Sequence, residues 1–292
     1  MKKSKNIVVR KSFTPPQEGE QKHHLHMNDN HELYMLLQGD VTFSIEGRLY
    51  HLEPYDVLLI SNQEIQCVMV NSEMAYERIC IFFKPEYFQQ FSTKEYDLLR
   101  AFNNNGRVEK GNKIGYENVR KYGLDQCFVE MYEQYMAKLP ERSIQLTSML
   151  LHMLLDINKA YEESRLIEGM EDKSSGHSEK IDDIIRYISE NLSEKITLDD
   201  LTRRFYLSKY YLCHEFKRIT GFTVFDYIRY KRILSAKTKM QDGQMINEVW
   251  RELGYEDYSN FYRTFKKITG MSPKEYMENV KKRKEDNEKE SK

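Results

Sequence analysis

The sequence predicts an α+β chain, with an N-terminal antiparallel β-barrel or sandwich followed by helices, then an all-α C-terminal domain with two helix-turn-helix units. Three observations carry that prediction. Val41, Phe43 and Ile45 alternate with Thr42, Ser44 and Glu46, the period of a half-buried strand. From Lys84 onward apolar residues recur at helical spacing. Near the C-terminus one helix-turn-helix pattern occurs twice, 48 to 49 residues apart. A chain of 292 residues has room for two separate cores.

From His23 to about Phe83, short apolar runs alternate with turn signals. Leu33-Tyr-Met-Leu-Leu37, Val41 to Ile45 and Val57-Leu-Leu-Ile60 are separated by Gln38-Gly-Asp40, Glu46-Gly47 and Glu53-Pro-Tyr-Asp56. Runs this short and evenly spaced make a small sandwich or barrel. Beyond Lys84, Tyr87, Phe88 and Phe91, then Tyr96, Leu98 and Leu99, lead to a polar break at Asn103-Asn-Asn-Gly106. Longer helices are predicted near 118–138 and 142–164. The second carries Ile144, Met149, Leu151, Met153, Leu154, Leu155, Ile157 and Tyr161, too many for one stripe. It needs cover on two sides, from the barrel and from a partner subunit, so a homodimer is expected.

Residues 166–180 lose periodicity and gather Gly, Ser and charge, as a linker does. The predicted domains are therefore 1–165 and 181–281, with 282–292 a charged tail. Charge is uneven: residues 178–292 hold 24 Lys and Arg against 20 Asp and Glu, leaving 21 against 26 for 1–177. That balance is compatible with a polyanion partner but is too small to argue for one alone. Met1 to Arg10 lacks an apolar core, and no run approaches the roughly 18 apolar residues of a membrane span, so a cytoplasmic protein with no membrane partner is expected. Cys67, Cys80, Cys127 and Cys213 form no C-x-x-C pair and read as small structural side chains.

The repeat is the most informative feature. Leu198-Asp-Asp-Leu-Thr-Arg-Arg-Phe205 and Tyr211-Leu-Cys-His-Glu-Phe-Lys-Arg-Ile-Thr-Gly221 match Ile246-Asn-Glu-Val-Trp-Arg-Glu-Leu253 and Asn260-Phe-Tyr-Arg-Thr-Phe-Lys-Lys-Ile-Thr-Gly270. Thr197 and Ser208 are predicted N-caps. Leu198, Leu201 and Phe205 pack on Leu212, Phe216 and Ile219, as Ile246, Val249 and Leu253 do on Phe261, Phe265 and Ile268. This leaves Tyr210, Cys213, His214 and Lys217 outermost in one copy, and Ser259, Tyr262, Arg263 and Lys266 in the other. A helix with such a face fits the major groove of double-stranded DNA, its polar groups reaching base edges and its lysines the phosphates. A merely solvated bundle is the bland alternative, and duplication of the outer face argues against it. Between the copies, Thr223 to Met240 is one helix of roughly 18 residues, spanning about 27 Å. That approaches the ~34 Å between successive major grooves on one DNA face.

The C-terminal hundred residues resemble the AraC/XylS family of transcription regulators, most closely in Gly254-Tyr-Glu-Asp-Tyr-Ser-Asn-Phe-Tyr-Arg-Thr-Phe-Lys-Lys-Ile-Thr-Gly270, then Ser272-Pro273 and Tyr276. The resemblance implies base-facing roles for Tyr210, Cys213 and His214 in the first unit and Tyr258, Ser259, Tyr262 and Arg263 in the second. The chain departs from the family at His214, where arginine is usual, at Thr202 and Trp250, where small residues are usual, and at Tyr206, where glycine or alanine is usual. The second unit is therefore expected to read more bases, and the first to hold the backbone. Trp250 is expected to alter how the second unit's helices cross.

His24-Leu-His26, Glu32 and Gly39 resemble the first motif of the cupin jelly roll, and Glu53-Pro-Tyr-Asp56 its later turn. Gln66 stands where the second motif's histidine would complete a metal site, so neither metal nor cofactor is expected. By resemblance, His24, His26, Glu32, Tyr34 and Gln66 line an effector pocket for a small metabolite, a sugar being favoured. The expectation is a DNA-binding regulator of a promoter or operator and not an enzyme, with RNA polymerase a further partner of an activator. Two alternatives stay open: a metal-dependent cupin enzyme with a helical appendage, and a ligand-independent DNA-binding dimer.

Overall fold

The computed structural model describes residues 6–16, 22–26, 29–70, 73–103, 111–137, 139–171 and 179–290, excluding the side chains of 22–26, 165–171, 179, 283, 284 and 286–290. It divides into two units, Met1–His177 and Ser178–Lys292. In the first, the described strands are β1 (Ile7–Thr14), β2 (Lys22–His26), β3 (His31–Gln38), β4 (Val41–Ile45), β5 (Arg48–Leu52), β6 (Val57–Ile60), β7 (Gln66–Val70), β8 (Tyr76–Phe83) and β9 (Lys113–Ile114). They form two antiparallel sheets, ordered β1-β8-β3-β6-β9 and β2-β7-β4-β5.

Strand alternation explains the layering. On one face of the larger sheet Tyr34, Leu36, Leu58, Ile60, Tyr76 and Cys80 pack against Val41, Phe43, Ile45, Val68 and Val70 of the smaller one. The opposite face, with Leu33, Met35, Val57, Leu59, Ile79, Ile81 and Phe83, packs against helices. Covered on both sides, β3 reads as an unbroken apolar run rather than an alternating one. The β4–β5 hairpin turns on Glu46 (φ 49°) and Gly47 (φ 83°), the two positive angles that a two-residue primed turn demands.

The helices of this unit are α1 (Pro85–Gln89), α2 (Tyr116–Lys121), α3 (Leu124–Met136) and α4 (Arg142–Glu171). The helix predicted near 118–138 is thus two, separated where Gly123 takes a left-handed φ of 64°. After α1, the segment around Tyr96, Leu98 and Leu99 buries both leucines from turns, without a helix. The second long helix continues past 164 to Glu171, into the first six residues of the expected linker. Of the remainder, 172–178 lie outside the described residues and Glu179 opens the next helix. Loss of apolar periodicity marks where a helix stops being covered, and helical hydrogen bonding persists beyond that point.

The second unit comprises α5 (Glu179–Glu190), α6 (Leu198–Phe205), α7 (Lys209–Thr220), α8 (Val224–Gln241), α9 (Ile246–Glu252), α10 (Tyr258–Thr269) and α11 (Pro273–Glu290). Their ends follow local chemistry. Thr197 and Asp200 form a reciprocal capping box, while Ser208, Thr223 and Asp257 each accept a hydrogen bond from a first-turn amide. Both α7 and α10 stop at a left-handed glycine, Gly221 and Gly270. Helix α11 reaches Glu290, through most of the expected tail, where Lys and Glu are frequent and intrinsically helix-forming. No helix among the described residues is long and apolar enough to cross a membrane.

Candidate functional site

Two places gather the residues singled out by sequence. The first is the outer face of α7 and α10. Burial of Leu212, Phe216 and Ile219 turns Tyr210, Cys213, His214 and Lys217 to solvent. Burial of Phe261 and Phe265 does the same for Tyr258, Ser259, Arg263 and Lys266, while Tyr262 stays half-buried.

The two faces differ in chemistry. On α7 the Tyr210 and His214 rings lie parallel, 6.0 Å apart, and His214 Nδ1 is 3.3 Å from the Glu215 carboxylate. Arg218 grips Glu215 through Nε and Nη2, at 3.0 and 2.7 Å from Oε2, and the Glu215 pKa falls below the ordinary value. On α10, Tyr258 packs edge-on against Trp250 of α9, centroids 6.5 Å apart, and tilts over Tyr262 at 6.1 Å. Trp250 thereby braces the start of α10.

Sequence reasoning passed over Tyr206 as a site residue. It is 91% exposed and left-handed, with φ 54°, in the turn between α6 and α7. The corresponding position in the second copy is Gly254, with φ 67°. Its signal was the aromatic side chain at a position where the repeat has glycine.

The second place lies between the sheets. Gln66 Nε2 donates to Glu32 Oε2 at 2.9 Å, and both residues are buried, 4% and 7% exposed. Burial raises the Glu32 pKa, opposed by the hydrogen bonds from Gln66 and the Cys80 thiol and by the charges of Arg78 and Arg10. Tyr34 and Tyr76 share a hydrogen bond of 2.9 Å, and the Arg78 guanidinium sits 4.3 Å from the Tyr76 ring centroid. Gln66 Oε1 and Arg78 Nη1 are buried and have no hydrogen-bond partner among the described residues.

Strand register places His24 opposite Val68 and His26 opposite Gln66, but both histidine side chains lie outside the described residues. Glu32 and Gln66 are thus brought into contact, and Tyr34, two residues along β3 from Glu32, lies in the core between the sheets. Sequence reasoning missed Tyr76, Arg78 and Cys80. Their signal was the alternation along β8, where Tyr76, Arg78 and Cys80 share the inner face and Ile79, Ile81 and Phe83 the outer.

A family model described as a helix-turn-helix domain matches residues 201–279. The regulatory protein SoxS of Escherichia coli (strain K12) is 30% identical over 101 residues, covering 34% of this chain and 94% of its own length. The chain belongs to the AraC family of transcription regulators. It is a DNA-binding regulator and not an enzyme. Similarity extends beyond the DNA-binding part of this AraC-family protein. The uncharacterized HTH-type transcriptional regulator YdiP of the same E. coli strain is 24% identical over 280 residues, 94% of this chain and 86% of that one. The solved structure of ToxT from Vibrio cholerae O395, bound to (E)-4-(8-methylnaphthalen-1-yl)but-3-enoic acid, covers 94% of this chain and 100% of its own. It shares 11% identity at a TM-score of 0.40, a superposition too loose to carry any residue across.

Proposed function

We propose that this AraC-family regulator reads a promoter site with α7 and α10 under the control of a sugar held between its N-terminal sheets. The observation that carries the effector reading is the pair of unpartnered buried atoms, Gln66 Oε1 and Arg78 Nη1, on two residues that both act on the Glu32 carboxyl. One is an acceptor without a donor and the other a donor without an acceptor. A hydroxyl supplies both functions at once, and a sugar supplies several hydroxyls. Leaving such atoms unmade costs about 1–3 kcal/mol each, which a fitting ligand recovers. The ligand changes DNA occupancy insofar as it favours one arrangement of the protein by differential contacts.

A thermal-shift screen of the full chain against pentoses, hexoses and sugar alcohols tests the effector. At a hundred times its dissociation constant, the right sugar is expected to add about 2.7 kcal/mol. Gln66→Leu is expected to abolish that shift and leave the protein folded. Absence of a shift with every sugar would leave the ligand-independent dimer as the better reading.

Dimerisation through α3 and α4 is supported by Val129, Met136, Ile144 and Leu155, all exposed and apolar, Ile144 at 73%. A monomer in sedimentation equilibrium would remove that part. RNA polymerase is a partner if the bound site lies upstream of an activated promoter, which transcription in vitro decides.

For the DNA-reading helices, Arg263→Ala is expected to cost on the order of 1–3 kcal/mol and to relax base preference at one position of the site. Lys266→Ala is expected to weaken binding on all sequences alike and to lower the salt slope by about one. Binding titrations on random-sequence pools at several salt concentrations separate the two. A uniform loss for Arg263→Ala would take it out of the base-reading role.

A further inference from the structure

The two reading helices are joined by more than α8. The turn after α5, residues 192–195, and the turn between α9 and α10, residues 254–256, meet along a seam, and Arg232 of α8 lies within it. Its Nε donates to the Leu192 carbonyl at 3.0 Å and its Nη2 to the Glu194 carbonyl at 2.7 Å, both in the turn that leads into the first helix-turn-helix. Its Nη1 donates to the Gly254 carbonyl at 3.0 Å, in the second. The guanidinium carbon stands 5.6 Å from the centroid of the Tyr255 ring. A Cβ on Gly254 would come within 2.6 Å of the Ser193 carbonyl oxygen, so the two backbones are in direct contact there. Lys195 and Glu256 close the exposed rim at 3.0 Å.

We propose that Arg232 sets the separation and rotational phase of α7 and α10, as a positioning residue, an inference that rests on both helices being DNA readers. A single helix between two reading units leaves each free to swing about its end. A second connection closes the structure into a loop of three contacts: α8 to the first unit, α8 to the second, and one unit to the other. Only the planar, five-donor guanidinium spans three carbonyls on two turns at once, whereas lysine offers one nitrogen. The carbonyls gripped are backbone atoms, so the clamp is independent of the side chains that read DNA. Its consequence is selectivity for the distance between half-sites, distinct from selectivity for their bases.

The probe is the DNA site that the wild-type full chain selects from a random-sequence pool, together with versions carrying one base pair inserted or deleted between the two footprinted segments. One base pair turns one segment by roughly 34° relative to the other. Wild type is expected to bind the altered spacings on the order of 10- to 100-fold more weakly. Arg232→Gln is expected to compress that ratio to a few-fold, and Arg232→Lys to an intermediate value. Val280→Ala, which trims the core of the second unit away from the seam, serves as the stability control and is expected to keep the wild-type ratio. Arg232 variants that lose affinity equally at every spacing, with the wild-type ratio intact, would overturn the positioning role. A wild-type protein indifferent to spacing would instead overturn the two-reader reading beneath it.

Discussion

Gly254→Ala is expected to lower the thermal midpoint of the C-terminal unit by on the order of 10–20 °C and to abolish tight binding to the selected DNA site. Two costs add. An L side chain at the left-handed φ of 67° costs roughly 1–2 kcal/mol. The new Cβ would also meet the Ser193 carbonyl at 2.6 Å, Arg232 Nη2 at 2.8 Å and the Leu192 carbonyl at 3.0 Å. Two of those atoms are backbone and the third is held by hydrogen bonds, so relief requires the seam to open, an overpacking cost of about 1–3 kcal/mol. Tyr206→Gly, at the corresponding position of the first copy, is the matched comparison. Tyr206 stores the same left-handed strain with its side chain in solvent. Relief of strain and the added freedom of glycine in the unfolded chain largely cancel, leaving a change within about 1 kcal/mol. Trp250, the only tryptophan, reports unfolding of this unit by fluorescence. A loss for Gly254→Ala of no more than about 1–2 kcal/mol, the cost of the left-handed backbone alone, would show that the seam is not overpacked by the new Cβ.

The second large effect is an acid sensitivity of the N-terminal unit that resides in His31. Its ring stacks on Phe102 at 4.7 Å, meets Phe83 edge-on at 5.5 Å and accepts a hydrogen bond from the Asn62 amide at Nδ1, 3.1 Å away. Burial pushes its pKa from 6.5 down to about 3. Between those values the unfolded chain holds a proton that the folded chain does not. Stability from this group is therefore full above pH 6.5 and falls as pH drops, by about 2 kcal/mol at pH 5. Glu32 acts in the opposite sense, because its raised pKa makes the folded state the better proton acceptor above 4.5. The comparison that isolates His31 is consequently wild type against His31→Gln. Urea unfolding followed by near-ultraviolet dichroism of the tyrosines, at pH 7 and pH 5, is expected to show about 2 kcal/mol less acid loss in the variant. Identical pH dependence in the two proteins would place the His31 proton elsewhere.

Helices α7 and α10 were legible because everything that makes them is local. A cap at Ser208, apolar residues at i, i+4 and i+7, and a glycine stop at Gly221 lie within 14 residues and recur in the second copy. Which side chains face solvent follows from the same spacing. The β4 strand and its Glu46-Gly47 turn were legible for the same reason. The two ends of α4 were unequal in this respect: its apolar face was visible, but its continuation to Glu171 depends on hydrogen bonding that leaves no periodic mark.

Long-range meetings were not legible. Glu32 and Gln66 were paired by resemblance, but Arg78 and Cys80 join them only because β8 pairs with β3 and turns that face toward β7's sheet. Arg232 reads in the sequence as one more base on a basic helix. By itself the sequence determined the family, the duplicated helix-turn-helix and the inner and outer faces of its clearest strand. The tertiary structure alone decided which polar groups are buried without partners and which backbones touch across the seam. Periodicity and capping are set by neighbours a few residues apart, whereas burial and carbonyl capture are set by segments 22 to 40 residues distant that share no pattern.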